Sequence, residues 1–205
     1  MGVLEEIVLA MNYVGVFAFA VSGVLKGIDK DMDVFGCAFL GLVTAFGGGV
    51  VRDLVAGEVP PLAFRSEVDF SVAIFAIVSA LCMYRFRNFV KALPYFDAIG
   101  LGAFAALGGE VAVKSGLGPV GIVFASMITG CGGGMIRDVL AGEIPLVLRR
   151  ELYATAAIVG GIAFYFLSRV SIELALFVSA VVTTSLRMVA IRFGINLPRV
   201  RRERT

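Results

Sequence analysis

Four charged residues stand where charge is expensive. Arg52 and Asp53, and again Arg137 and Asp138, lie inside long apolar stretches. At the centre of a membrane span each such charge costs at least about 2.5–3.5 kcal/mol. Residues of this kind mark ion paths, proton relays or ion pairs that lock helices together. Neighbours in a helix point about 100° apart, so an Arg and the Asp beside it should not face one partner. One arrangement has one of them lining a watery path while the other pairs across the bundle. The alternative is an Arg–Asp lattice that only locks the helices.

Three glycines precede each pair, Gly47-Gly48-Gly49 and Gly132-Gly133-Gly134. A glycine costs about 1 kcal/mol relative to alanine in a helix interior, so three in a row predict a broken helix. A break in lipid must be satisfied by protein or by water in a cavity. It would expose the carbonyl end of a half-helix, where a cation is favoured. Close helix packing is the alternative, since Gly130 and Gly134 also have GxxxG spacing. Thr44 and Thr129 each precede a triplet by three residues and are further candidates for the path. The other polar residues in spans are Ser22, Ser126, Thr183, Thr184, Glu110 and Arg187; the hydroxyls read as bonded to their own helices, while Glu110 is either an ion-pair partner or a pore residue.

The elements that hold these residues follow from composition. The 205 residues are 59% hydrophobic and 17% charged, with 25 glycines besides. Soluble domains carry about 25% charged residues, so this chain is an integral membrane protein. Spans are predicted at about 6–27, 34–57, 68–84, 95–114, 118–141, 151–168 and 172–192. The first lacks a basic flank and is too long for a signal peptide core, so it reads as a retained span. Lys26, Lys30, Arg85, Arg87, Lys91, Arg149, Arg150, Arg192, Arg199, Arg201, Arg202 and Arg204 fall on one side, and Arg65, Lys114 and Arg169 on the other. This bias places the N-terminus outside and the C-terminus in the cytoplasm of a plasma membrane.

A shift of 85 residues lays Gly47–Pro60 over Gly132–Pro145 with nine of fourteen positions identical. Gly15/Gly100, Phe19/Phe104, Gly23/Gly108, Gly36/Gly121 and Phe39/Phe124 agree as well. Each copy holds three spans, an odd number, so the second must cross in the opposite sense. The expected fold is therefore all-α: repeat 1 at 6–93, an inverted repeat 2 at 94–170, a seventh helix at 171–193 and a basic tail at 194–205. Inverted repeats are a transporter plan with sites near the midplane.

Other chemistries fall away. With no histidine, a Ser-His-Asp triad and a HExxH zinc site are impossible. A net charge of +2 does not suggest nucleic-acid binding. Cys37, Cys82 and Cys131 stand singly and read as small core residues. Asp29, Asp31 and Asp33 imitate a calcium loop, but Val34 and Leu40 occupy its turn-glycine and bidentate-Glu positions. No cofactor or metal is expected, and no enzymatic activity.

Two in-register copies of GGGxxRD, together with Phe19-Ala20-Val21-Ser22-Gly23 and Asp97-Ala98-Ile99-Gly100, resemble the prokaryotic trimeric intracellular cation (TRIC) channel family over about residues 6–192. The resemblance implies a homotrimer with one pore per subunit, conducting monovalent cations, chiefly potassium, with sodium left open. It implies that helices two and five line the pore, through Gly47, Gly48, Gly49, Arg52 and Asp53 and through Gly132, Gly133, Gly134, Arg137 and Asp138. Asn12 departs from the pattern, standing where the second copy has Asp97. The other partners implied are lipids, anionic ones at the basic tail. Two further readings remain open: a secondary carrier of a small solute such as glycine, and a membrane scaffold without transport.

Overall fold

A computed structural model describes residues 2–83, 89–149 and 152–195. Among these residues all regular structure is helical. The long helices are α1 (Val3–Asp29), α2 (Val34–Ala56), α3 (Glu67–Met83), α4 (Leu93–Lys114), α5 (Pro119–Leu140), α6 (Ala154–Leu167) and α7 (Ile172–Phe193). Short helical turns at Leu62–Phe64, Phe89–Ala92 and Leu146–Arg149 join them. Arg85, Arg87, Arg150, Arg199, Arg201, Arg202 and Arg204 lie outside the described residues.

Local chemistry sets several helix ends. The Asp33 carboxylate accepts from the Gly36 amide at 2.6 Å and starts α2. The Ser171 hydroxyl accepts from the Leu174 amide and starts α7, while Pro119 opens α5 at a position where its missing N–H costs nothing. Helices α1, α2, α4, α5 and α7 are long and apolar enough to cross a membrane. By contrast α6 has 14 residues, fewer than the span predicted from 151, and Tyr153 just ahead of it is buried.

Many large side chains face outward, and the interior is rich in alanine and glycine around a few buried aromatics such as Phe19, Phe104 and Phe164. Phe35, Phe75, Phe124 and Phe177 are exposed, whereas Ala20, Ala98, Ala105 and Ala106 are fully buried. Lipid exerts no hydrophobic drive between helices, so close approach of small residues must supply the packing. Cys37 and Cys131 belong to this interior, but Cys82 is exposed on α3 and corrects its reading as a core residue.

The predicted breaks in the second and fifth spans are not found. Both α2 and α5 run as continuous helices through their glycine triplets. The glycines instead let the two helices touch backbone to backbone. A Cβ on Gly48 would run into the Thr129 carbonyl oxygen, and one on Gly133 into the Thr44 carbonyl oxygen. Helical hydrogen bonds are kept, and the gain from close contact offsets the low helix propensity.

These contacts also fix direction. Partners of Gly48 and Gly133 move down the sequence of one helix as they move up the other, so α2 and α5 cross antiparallel. Likewise Gly15 packs on Phe104 and Gly100 on Phe19, so α1 and α4 are antiparallel. Within each copy Gly23 abuts Leu40 and Thr44 as Gly108 abuts Ala125 and Thr129. The repeated positions thus make repeated contacts. Gly130 and Gly134 do not form one seam: the first faces α4 and the second the Tyr153 hydroxyl.

Gly133→Ala should lower unfolding free energy by about 1–3 kcal/mol through overpacking. Gly49→Ala, whose added Cβ would meet only Arg52 Nη2 at 3.8 Å, should be tolerated. Thermal unfolding of the two purified variants checks the contrast; equal stability would contradict the crossing.

Candidate functional site

Each Arg–Asp pair sits one turn beyond the crossing, and the antiparallel helices send the two pairs to opposite ends. The first pair forms a unit with its own loop. Arg52 Nε donates to Asp53 Oδ1 at 2.8 Å, and the Leu62 amide donates to Asp53 Oδ2 at 2.9 Å. Gly57 adopts a left-handed φ of 79° that ends α2, and the Glu58 amide returns to the Asp53 carbonyl. The second pair repeats this: Arg137 Nε donates to Asp138 Oδ1 at 2.9 Å, and the Leu146 amide to Asp138 Oδ2 at 2.8 Å. Arginine is long enough to fold back on its neighbour, which corrects the expectation that adjacent residues must serve different partners.

Beyond this unit the two ends diverge. Arg137 is wholly buried; its Nη1 donates to Asp97 at 2.6 Å and to the Ser22 hydroxyl at 2.5 Å. The Tyr153 hydroxyl donates to the same Asp97 oxygen at 3.1 Å, and Arg187 of α7 lies over the Tyr153 ring at 4.8 Å. The cluster joins α1, α4, α5, α7 and the Tyr153 segment in one buried polar network, referred to below as the lock. Arg52 has only Asp53 as an ion-pair partner among the described residues. It borders a cavity of about 310 Å³ that also meets Asp53, Glu58, Arg65, Glu110 and Lys114. Glu110 is ion-paired to Lys114 at 2.5 Å, one turn along α4.

The other candidates divide between packing and cavities. Gly49 borders a small cavity with Arg52 and Asp53, while Gly47, Gly48, Gly132 and Gly133 form the crossing and Gly134 meets Tyr153. Thr44 donates to its own helix at Leu40 and is fully buried. Thr129 is also buried but borders an apolar cavity of about 110 Å³ shared with Arg52. Ser126, Thr183 and Thr184 pack against Gly161, Gly160 and Gly102. Asp97 and Ser22 complete the lock; Ser22 was visible as an in-span polar residue and Asp97 in the motif that carries the resemblance. Tyr153, Asn12 and Asp69 were not legible as parts of these clusters. Past the doubled proline at 60–61 the repeat shift drops to 84, which sets Asp69 over Tyr153.

The Arg137 end is closed again outside the spans. Glu143 pairs with Lys26 at 2.9 Å and Lys30 at 2.6 Å, with Arg149 at 3.6 Å. The two lysines hold the Glu143 carboxyl down at about 2, below its ordinary 4.5, and Glu143 raises Lys30 above 10.5. The depressed carboxyl stabilises the clasp above about pH 4.5, with loss as pH falls through about 2. The raised amine contributes below pH 10.5, with loss above its raised value. The clasp should therefore be indifferent to pH between 5 and 9; pH-dependent opening in that window that Glu143→Gln abolishes would contradict this.

Removing one partner of a buried pair costs about 3–5 kcal/mol. Asp97→Asn should show a loss of that order in unfolding measurements. Asp53→Asn should cost less, because Arg52 can reach the open cavity.

The family model described as glycine transporter matches residues 9–87 and 94–169. The UPF0126 inner membrane protein YadS of Escherichia coli (strain K12) is 42% identical over 193 residues, covering 92% of this chain and 93% of that protein. A UPF0126 membrane protein of Deinococcus radiodurans is 45% identical over 161 residues, 77% of this chain and 75% of the relative. A crystal structure of a prokaryotic TRIC channel in 0.5 M KCl is similar with a TM-score of 0.90 and 36% identity, covering 94% of this chain and 100% of that one. The TRIC trimeric intracellular cation channel orthologue from Rhodobacter sphaeroides gives 0.86 and 34%, over 92% and 98%.

Proposed function

The chain belongs to the UPF0126 membrane-protein family, the one the glycine transporter model describes, and from that premise we propose that it is a passive channel for monovalent cations, chiefly potassium. One observation carries this reading: the likeness to a TRIC channel at a TM-score of 0.90 and 36% identity over nearly the whole chain. The assembly is a homotrimer with one pore per subunit, as the trimeric orthologue suggests. It sits in the plasma membrane, as its inner-membrane relative does, with the N-terminus outside and the C-terminus in the cytoplasm. Seven spans form two inverted repeats, 6–93 and 94–170, with α7 outside the repeat; the antiparallel contacts of α1 with α4 and α2 with α5 support that plan.

Cations enter through the polar cavity at Arg52, where Asp53, Glu58 and Glu110 offset its basic residues. They pass beside α2 and α5 at Thr44, Thr129 and the glycine triplets, and leave past Arg137 and Asp138. Fixed arginines oppose cations, so each must be neutralised by its neighbouring aspartate or displaced. The buried Arg137 lock and the Glu143 clasp hold the far end closed in this conformation. Opening needs relative movement of α5, α4 and the end of α1.

The family model's description favours a second reading, a carrier for glycine. A carrier of this plan holds a carboxylate at the N-terminal ends of broken helices near the midplane. Continuous α2 and α5 offer no such ends at the glycines. The same continuity removes the half-helix carbonyls as a cation site, so the pore reading rests on the fold likeness and the charged cavity.

Purified protein in planar bilayers under a potassium chloride gradient should give discrete current steps reversing near the potassium potential. Asp53→Asn should lower unitary conductance several-fold by leaving Arg52 uncompensated. Unchanged currents would remove Asp53 from the path, and absence of steps beside saturable solute uptake would overturn the pore.

A further inference from the structure

The turns after α2 and α5 carry the same acid in different company. After α5, Glu143 pairs with Lys26 and Lys30 of α1 and lies 3.6 Å from Arg149. The 85-residue shift sets Glu58 over Glu143, Val111 over Lys26 and Ser115 over Lys30. Past the prolines the 84-residue shift sets Arg65 over Arg149. Opposite Glu58 the two lysines are thus replaced by an apolar and a hydroxyl side chain, while the acid and the arginine are kept.

Val111 and Ser115 line the cavity of about 310 Å³ that Glu58 and Arg65 also border. The other charges there are paired among themselves, Arg52 with Asp53 at 2.7 Å and Lys114 with Glu110 at 2.5 Å. Among the described residues neither Glu58 nor Arg65 takes part in an ion pair. The cavity therefore offers one free charge of each sign, and its six charged side chains sum to zero. Both free side chains are exposed, so a lone ammonium or a lone carboxylate would gain little against water. A molecule that carries both makes two charge-assisted contacts at once and leaves the net charge unchanged. Small-molecule sites span about 300–1,000 Å³, so this one suits a short ligand, with Pro60, Leu62 and Val111 as the wall for its carbon skeleton.

We propose that this cavity binds a small zwitterion, with its ammonium on Glu58 and its carboxylate on Arg65, the chemistry of a short amino acid. The ligand's amine completes at the α2 end the acid–amine pairing that Lys26 and Lys30 complete at the α5 end. Such a site differs from that of a carrier, because side chains at the end of the bundle hold the ligand and nothing need cross the membrane. Occupancy also obstructs the cavity through which cations enter. That consequence rests on the pore reading, whereas the binding does not.

Calorimetric titration of the purified full-length protein with glycine, methylammonium and acetate tests the site. Glycine should bind saturably, and the two single-charge probes at least about ten-fold more weakly, since each gives up a charged contact. Glu58→Gln and Arg65→Gln should weaken glycine by a similar factor. Ser115→Lys should do so with both charges of the site in place, because it returns the amine found at the other end. In planar bilayers, saturating glycine on the side of this cavity should lower the wild-type potassium current several-fold and have no effect on Ser115→Lys. Glycine binding no tighter than methylammonium or acetate, or unaltered in all three variants, overturns the site. Binding that leaves the current unchanged upholds the site and overturns the cavity as the cation entrance. Binding accompanied by saturable glycine uptake upholds the site and overturns the passive pore instead.

Discussion

A guanidinium inside a lipid-facing bundle must find its counter-charges within arm's reach, and much of this fold follows from that demand. Arg137 is fully buried and engages Asp138 beside it, Asp97 on α4 and Ser22 on α1. Those partners can converge only if α1, α4 and α5 approach closely, and small residues make the approach possible. The glycine crossing brings α5 against α2, and Gly15 and Gly100 bring α1 against α4. The aspartate next to each arginine has a second task, holding the loop after its helix through the Leu62 or Leu146 amide. Charge neutralisation and loop closure are thus one device, built twice.

The two copies have diverged in how completely they satisfy that demand. At the α5 end a carboxylate, a hydroxyl and a tyrosine surround the arginine, and Arg187 adds a second cation over the tyrosine ring. At the α2 end Asn12 cannot play the part of Asp97, and Arg52 stays at the edge of a polar cavity. Symmetry in the backbone therefore carries asymmetry in surroundings: Arg137 is wholly enclosed by its partners, whereas Arg52 borders a polar cavity. A clasp of Glu143 with Lys26 and Lys30 adds ion pairs at the same end.

Much of this was legible in the sequence, and the failures share a cause. The helices, the repeat and the importance of the Arg–Asp pairs followed from hydropathy, spacing and the price of intramembrane charge. The glycine triplets were misread as breaks because propensity is local, whereas the gain from backbone contact depends on a partner 85 residues away. Adjacent Arg and Asp were expected to part because Cβ directions ignore the reach of an arginine side chain. Asp69 and Tyr153 were hidden by the one-residue change of repeat register at Pro61, and Arg187, visible as an in-span charge, had no counterpart to suggest its partner because it lies outside the repeat. Each depends on tertiary placement rather than on periodicity.

Paired flux from one preparation tests the central claim most directly. Proteoliposomes loaded with potassium chloride would be assayed for uptake of labelled rubidium and, separately, of labelled glycine. Rubidium should accumulate in proportion to the outward potassium gradient, with glycine entering no faster than in protein-free vesicles. Saturable glycine uptake with rubidium entry at the background rate would contradict a passive cation pore.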